Sequence, residues 1–365
     1  MGESTLTAVR ADTARADQLQ FLRFLAFLNI YIFHTEQWQI FPIPVSHMGS
    51  ASVSFFFILS GLVTGYSGYG KEVKLTLRDH RQYMMRKIRK IYPLYFLTTI
   101  LTILYSEVPY LVAQLDFDGL RSPMTYLLKN LLLIQSWFPK DKMNYNGAAW
   151  FLSTLLFLNV WNLPALAVMN KVSKSRRRYW IVLAASLGLT FLTVVFCYMT
   201  QTWKMGYWHY RFPPVRLGEY LCGMMLGFVI RWVQPGLKPK LWVKGLFTVL
   251  EIFSLVFWVV SLSSPGNYWR NHIISWLKPN MLLLTVFACG MGWVSSLFRS
   301  RPLLALGNLS FECFLIHMVV VNLLQLFDAQ RTETDAGKIF AFCFCLFITL
   351  VMAVSLKEKE KKAHP

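Results

Sequence analysis

Acid is scarce in this chain: 18 Asp and Glu stand against 37 Lys and Arg in 365 residues, a formal net charge of +19. Charge of either sign is sparse as well, at 15% of the sequence, where soluble domains carry about 25%. Together with a 55% hydrophobic content and a mean hydropathy of +0.42, that shortage excludes an ordinary soluble domain and indicates an integral membrane protein. It also removes the nucleic-acid reading that +19 would invite, because the basic residues fall in short segments between apolar runs, where they act as orientation signals. Cysteines in polar loops are lacking: Cys197, Cys222, Cys289, Cys313, Cys343 and Cys345 all lie in apolar stretches without metal-site spacing. Neither a disulfide framework nor a metal is expected, and they read as small hydrophobes. No Gly-x-Ser-x-Gly, Walker loop or His/Cys cluster occurs, so esterase, ATPase and metalloenzyme classes have no support. A Ser/Gly/Pro-rich linker and an internal repeat are also missing. No small-residue cleavage site follows the first apolar run, which therefore reads as a permanent span.

What is present is a succession of apolar runs of about 20 residues, the length that crosses a bilayer. Ten are expected to span: 18–37, 51–69, 91–109, 148–168, 179–200, 215–232, 245–262, 279–297, 303–327 and 339–356. A shorter run, 126–138, carries Lys129 and Gln135 and reads as an interfacial or re-entrant helix. With the N-terminus inside, the inner segments and Arg231 hold 25 of the 37 Lys and Arg. The bias predicts both termini cytoplasmic, in a plasma (inner) membrane protein. The expected fold is thus an all-α, polytopic helical bundle with ten transmembrane helices. Its organisation is a cytoplasmic segment 1–17, a membrane domain 18–356 and a charged cytoplasmic tail 357–365. The outer loops 38–50, 137–147, 201–214 and 263–278 are rich in aromatic residues. They suit stacking against a sugar, and equally an interfacial aromatic belt. His209 and His272, in two of these loops, are possible acceptor contacts.

The first span, 18–37, holds an arginine, Arg23, and a histidine, His34. Eleven residues, about three turns, put them on one face roughly 16 Å apart. Ionisable groups inside a span mark a functional site by default; snorkelling of Arg23 and an interfacial place for His34 are the alternative. Further on, Arg86, Lys87, Arg89 and Lys90 enter span three, with Arg86 and Arg89 at i, i+3 on one face. Such a cluster either anchors the span or offers forked contacts to phosphates. Arg216 and Glu219, again i, i+3, are either an ion pair within the bundle or part of an acceptor site. His317 in span nine is either a hydrogen-bonded core histidine or a second proton-handling group.

The ordered set of local patterns is more specific than any member of it. Arg23-x10-His34 is followed by the glycine-ended Val53-SFFFILSG-Gly61, Met85-RKIRKIYPLY-Tyr95, Trp150-FLS-Ser153, Pro213-PVRLGEYLCGMMLG-Gly227 and Leu306-GNLSFECFLIH-His317. Over about residues 18–350 the chain resembles the acyltransferase 3 family, membrane enzymes that acylate, most often acetylate, hydroxyls of surface polysaccharides and related glycans. The resemblance implies an O-acyltransferase of the cell envelope that takes acetyl-CoA or another acyl-CoA as co-substrate and a glycan or other hydroxyl compound as acceptor. No metal and no nucleic acid are implied. It matches His34 to the catalytic histidine and Arg23 to its paired arginine. Arg86 and Arg89 match the pair associated with donor binding, and Lys87 and Lys90 lie beside them. Trp150, Arg216, Glu219 and His317 are the candidates for substrate binding. The chain departs from a Trp-x-Leu-x-x-Glu pattern common in the family: after Trp150 and Leu152 comes Leu155. The acid's role is absent or falls to Glu107 or Glu219. Histidine suits base catalysis near neutral pH, and a covalent acyl-histidine is an alternative route. A transporter or exporter, or an inactive relative, are the competing functions; the absence of internal repeats argues against transport.

Overall fold

The computed structural model describes residues 17–41, 46–107, 121–138, 145–202, 208–233, 239–263, 272–328 and 334–363. Among them there is helix and no strand, and the described residues of every apolar run predicted above are mostly helical. The α-helices are α1 (Gln18–His34), α2 (Ser46–Gly68), α3 (Leu77–Thr102), α4 (Arg121–Leu131), α5 (Trp150–Val160), α6 (Asn162–Val172), α7 (Arg176–Thr202) and α8 (Trp208–Arg211). They continue with α9 (Leu217–Val233), α10 (Leu241–Ser263), α11 (His272–Cys289), α12 (Trp293–Phe298), α13 (Arg301–Asn308), α14 (Ser310–Asp328) and α15 (Asp335–Ala363). By length and composition, three single helices among the described residues can cross a bilayer: α2, α10 and α15. The number is five if the bent pairs α5–α6 and α13–α14 each count as one span. The run 126–138 forms the 11-residue α4 and a short 3-10 turn, Gln135–Trp137; eleven residues rise only about 16 Å, too little to cross.

Several predicted spans are broken. The 46° bend between α5 and α6 precedes Pro164, which has no N–H and whose ring crowds the carbonyl four residues back. A 55° bend separates α13 from α14. Between α11 and α12, Gly290 takes φ +62°, the left-handed region glycine enters without steric cost. The new N-terminus at α12 is satisfied from across the bundle. The buried Glu251 carboxylate on α10 accepts from the Gly292 amide (3.0 Å), the Ser295 amide (3.2 Å) and the Ser295 hydroxyl.

The centre of the bundle is α1 and α2, which contribute to both apolar clusters, with Phe27, Phe57 and Tyr31 in one and Leu22, Phe55 and Ile58 in the other. The closest packing is α2 against α9. A Cβ on Gly61 or Gly65 would collide with the carbonyls of Tyr220 or Met224, and one on Gly223 or Gly227 with those of Ile58 or Leu62. Two small-x-x-x-small faces therefore meet backbone to backbone, the device by which membrane helices associate without a hydrophobic gradient. The partners advance together along both helices, so α2 and α9 are parallel. On the periphery, α7, α10 and α15 leave large apolar side chains such as Phe191, Val249 and Phe347 exposed, as lipid-facing helices do.

Candidate active site

His34 is the last residue of α1, and the chain turns directly after it. The Thr35 hydroxyl closes the helix by donating to the carbonyls of Tyr31 and Ile32 (3.0 and 3.1 Å). The imidazole points at α14, where Nδ1 lies 3.0 Å from Nε2 of His317. His317 is fully buried, and its Nδ1 lies 3.2 Å from the Cys313 carbonyl one turn back. The two rings sit 5.1 Å apart at 33°, among Phe27, Tyr31, Phe33 and Phe314. Two histidines 283 residues apart in sequence thus form one hydrogen-bonded pair in an aromatic setting.

Arg23 does not touch His34. Its Nη1 donates to Oε1 of Gln20 (2.9 Å), and the Glu312 carboxylate on α14 is within electrostatic reach. Glu312 also accepts from Nζ of Lys357 on α15 at 2.7 Å. The shared face expected of Arg23 and His34 is therefore turned toward one neighbour, α14: Arg23 near its start, His34 against its middle. As the chain advances along α1 it also advances along α14, so these helices too are parallel.

Arg216 and Glu219 form a second, wholly buried cluster. Arg216 ends a 3-10 turn (Pro213–Arg216) and Glu219 lies in the first turn of α9. Nη1 and the carboxylate are 3.0 Å apart, with side chains 1% and 0% exposed. Nε of Arg216 donates to the Tyr210 carbonyl (2.9 Å), and Ser54 donates to Oε1 of Glu219 (2.5 Å). The guanidinium stacks over Phe57 and Tyr210, while its Nη2 is buried without a partner. Trp150, buried at the start of α5, packs on the same two rings, 5.0 Å from Tyr210 and 6.4 Å from Phe57. Of the two acids weighed for the missing glutamate, Glu219 is thus the one beside the surroundings of Trp150; the Glu107 side chain lies outside the described residues. A run of rings, Phe57, Phe151 and Phe314, joins this cluster to the histidine pair without bringing the charges to it.

The basic residues of α3 precede its apolar half. Thr76 caps the helix, accepting from the Asp79 amide at 3.1 Å, as N-cap threonines do. Arg86, Arg89 and Lys90 are exposed and Lys87 is half-buried, with its ammonium over the Tyr83 ring. Burial, then the Arg86 charge, lowers the Lys87 pKa from its ordinary value. The side chains of His209 and His272 lie outside the described residues. Two residues to which the sequence assigned no part in a site are Asn146 and Gln135. Nδ2 of Asn146 donates to the Leu315 carbonyl (2.8 Å), and Nε2 of Gln135 to that of Ala149 (3.2 Å); both amide oxygens are buried without a partner. The local signals are the αL backbones of Leu133, φ +54°, and Tyr145, φ +64°, which a sequence does not display. No cluster of three or more His, Cys, Asp or Glu that could hold a metal occurs among the described residues.

An apolar helical bundle with titratable groups buried between its helices is the architecture of a membrane enzyme or a transporter, and sequence comparison separates the two. A family profile described as an acyltransferase domain matches residues 17–358. The chain belongs to this acyltransferase 3 family, and is a helical membrane protein that transfers an acyl group from a donor to an acceptor. It is 27% identical over 338 residues to the acyltransferase MdmB of Streptomyces mycarofaciens, covering 84% of this chain and 79% of that protein. No solved structure matches the chain.

Proposed function

We propose that this protein is an integral-membrane O-acyltransferase that moves an acyl group, acetyl in the first instance, from cytoplasmic acyl-CoA to a hydroxyl of a polysaccharide or other glycan at the plasma membrane. The observation that carries the reading is the His34–His317 pair, with His317 fully buried and His34 half-buried among aromatic rings and, among the described residues, no carboxylate bonded to either. In this reading neutral His34 takes the acceptor's O–H proton as the oxygen attacks the thioester carbonyl. The tetrahedral intermediate then expels the CoA thiolate, which recovers that proton from the imidazolium. Arg23 supplies positive charge on the donor's side of the pair, its guanidinium held by Gln20 with the Glu312 carboxylate within electrostatic reach. Arg86, Arg89, Lys87 and Lys90 meet the CoA phosphates, and their exposure on α3 supports that role. Trp150, Arg216 and Glu219 line the acceptor's approach. A single membrane domain over 18–356 has ten crossings and both termini cytoplasmic, and α15 carries the charged tail as helix to Ala363.

The test is acyl transfer in isolated membranes, normalised to folded protein. His34→Ala is expected to lose roughly 10²–10⁴-fold in turnover, the usual contribution of a general base, while acyl-CoA binding persists. Arg86→Ala/Arg89→Ala is expected to do the reverse, weakening acyl-CoA binding in a folded protein. Near-wild-type turnover in His34→Ala would remove the catalytic assignment and put the transporter reading first.

A further inference from the structure

A neutral imidazole has one N–H and one lone pair, and which nitrogen holds which is decided by its neighbours. Here the neighbours decide it twice over. The Cys313 carbonyl is an acceptor only, so Nδ1 of His317, 3.2 Å away, carries the hydrogen and donates. That leaves the lone pair of His317 on Nε2, which faces Nδ1 of His34 at 3.0 Å. Two lone pairs at that distance repel, so Nδ1 of His34 carries its hydrogen and donates in turn. The lone pair of His34 is then on Nε2, the nitrogen turned away from His317.

We propose that His317 is a positioning residue: anchored by the Cys313 carbonyl, it holds His34 in the Nδ1–H tautomer and presents Nε2 as the proton-accepting atom. The inference rests on the reading of His34 as the base. A carboxylate does this work in serine hydrolases, where it orients the imidazole and stabilises the imidazolium. Among the aromatic rings around His34 a bare carboxylate would be costly to desolvate, and a neutral imidazole accepts the same hydrogen bond without a charge. When His34 takes the acceptor's proton on Nε2, its Nδ1–H continues to donate to His317, so the ring does not turn during the transfer. When the proton returns to the CoA thiolate, the original tautomer is restored.

Three variants and one spectrum test this. His317→Leu removes the acceptor at similar bulk and is expected to lower kcat per folded molecule about 10–100-fold, less than loss of the base itself, with the acyl-CoA KM unchanged. His317→Gln places an amide oxygen near the position of Nε2 and is expected to recover most of that loss; His317→Ala should recover none. A purely structural role would instead reduce the yield of folded protein and leave kcat per folded molecule at the wild-type value in all three, which would overturn the proposal. The 15N spectrum of histidine-labelled wild-type protein in detergent decides the matter even if the variants do not fold. With the His34 signals identified by their loss in His34→Gln, Nδ1 is expected to be protonated and Nε2 to carry the lone pair; the opposite tautomer overturns the inference. Inactive His34→Ala beside fully active His317→Leu would sink this proposal and leave the function standing, whereas active His34→Ala would sink the function itself.

Discussion

Arg216 sits in a setting that satisfies it only in part. One nitrogen meets Glu219, another the Tyr210 carbonyl, and the faces of the guanidinium meet Phe57 and Tyr210, while Nη2 has no partner. Burying a charge pair costs desolvation that its attraction barely repays, but removing one partner leaves the other charge alone in the interior, at about 3–5 kcal/mol. Arg216→Ala is therefore expected to lower the melting temperature of the detergent-solubilised protein sharply. The volume-conserving double variant Arg216→Met/Glu219→Leu is expected to be the more stable of the two. If the single change left the melting temperature unaltered, the pair would have no structural role. The i, i+3 spacing made this pair legible in the sequence, because both residues share one turn of chain. The histidine pair was not legible, because nothing local to His34 refers to a residue 283 positions away.

The contact between α2 and α9 shows at the level of elements how composition becomes position. Glycine costs a helix about 0.5–1 kcal/mol against alanine, and Gly61, Gly65, Gly223 and Gly227 all sit inside helices. What offsets that cost is backbone contact. The same approach brings Ser54 to Glu219, and the Tyr220 hydroxyl to within 3.1 Å of that of Thr64. Gly223→Ala would drive a methyl into the Ile58 carbonyl and is expected to destabilise by about 1–3 kcal/mol, as overpacking does. Gly245→Ala on α10, where a Cβ meets nothing within 4 Å, is the control and is expected to be neutral or slightly stabilising. Comparable melting temperatures for the two would mean that the helices can separate without loss. The breaks inside the predicted spans were legible only where Pro164 announces one; that at Leu309 carries no such residue.

For the molecule as a whole, the relative directions of the helices bear on topology. Parallel contacts join α2 to α9 and α1 to α14. Antiparallel contacts join α7 to α9 (Tyr179 to Met225, Thr190 to Cys222), α10 to α11 (Trp258 to Asn280) with its continuation α12 (Glu251 to Ser295), and α14 to α15 (Glu312 to Lys357, Val320 to Cys345). Numbered as ten crossings, the parallel pairs are two and six, and one and nine, while the antiparallel pairs are consecutive. Each direction agrees with strict alternation, which supports the ten-span proposal that helix length alone does not reach. A cysteine at Leu77, 91% exposed, is expected to react with a membrane-impermeant maleimide only after the cells are opened, and one at Lys204 in intact cells. Labelling of Leu77→Cys from outside would invert the topology.

By itself the sequence determined that the chain is helical and membrane-embedded, where its apolar runs lie, and to which family it belongs. These follow from hydropathy and from motifs whose residues are near one another in the chain, and both are local quantities. It also placed Arg23 and His34 on one face, since helical geometry alone fixes that. Only the tertiary structure decided that this face meets α14, that the partner of His34 is His317, that Glu219 stands beside the surroundings of Trp150, and that four glycines close α2 on α9. Each of these depends on which helices pack together. Packing is set by complementarity of surfaces summed over the whole bundle, and no window of the sequence contains that sum.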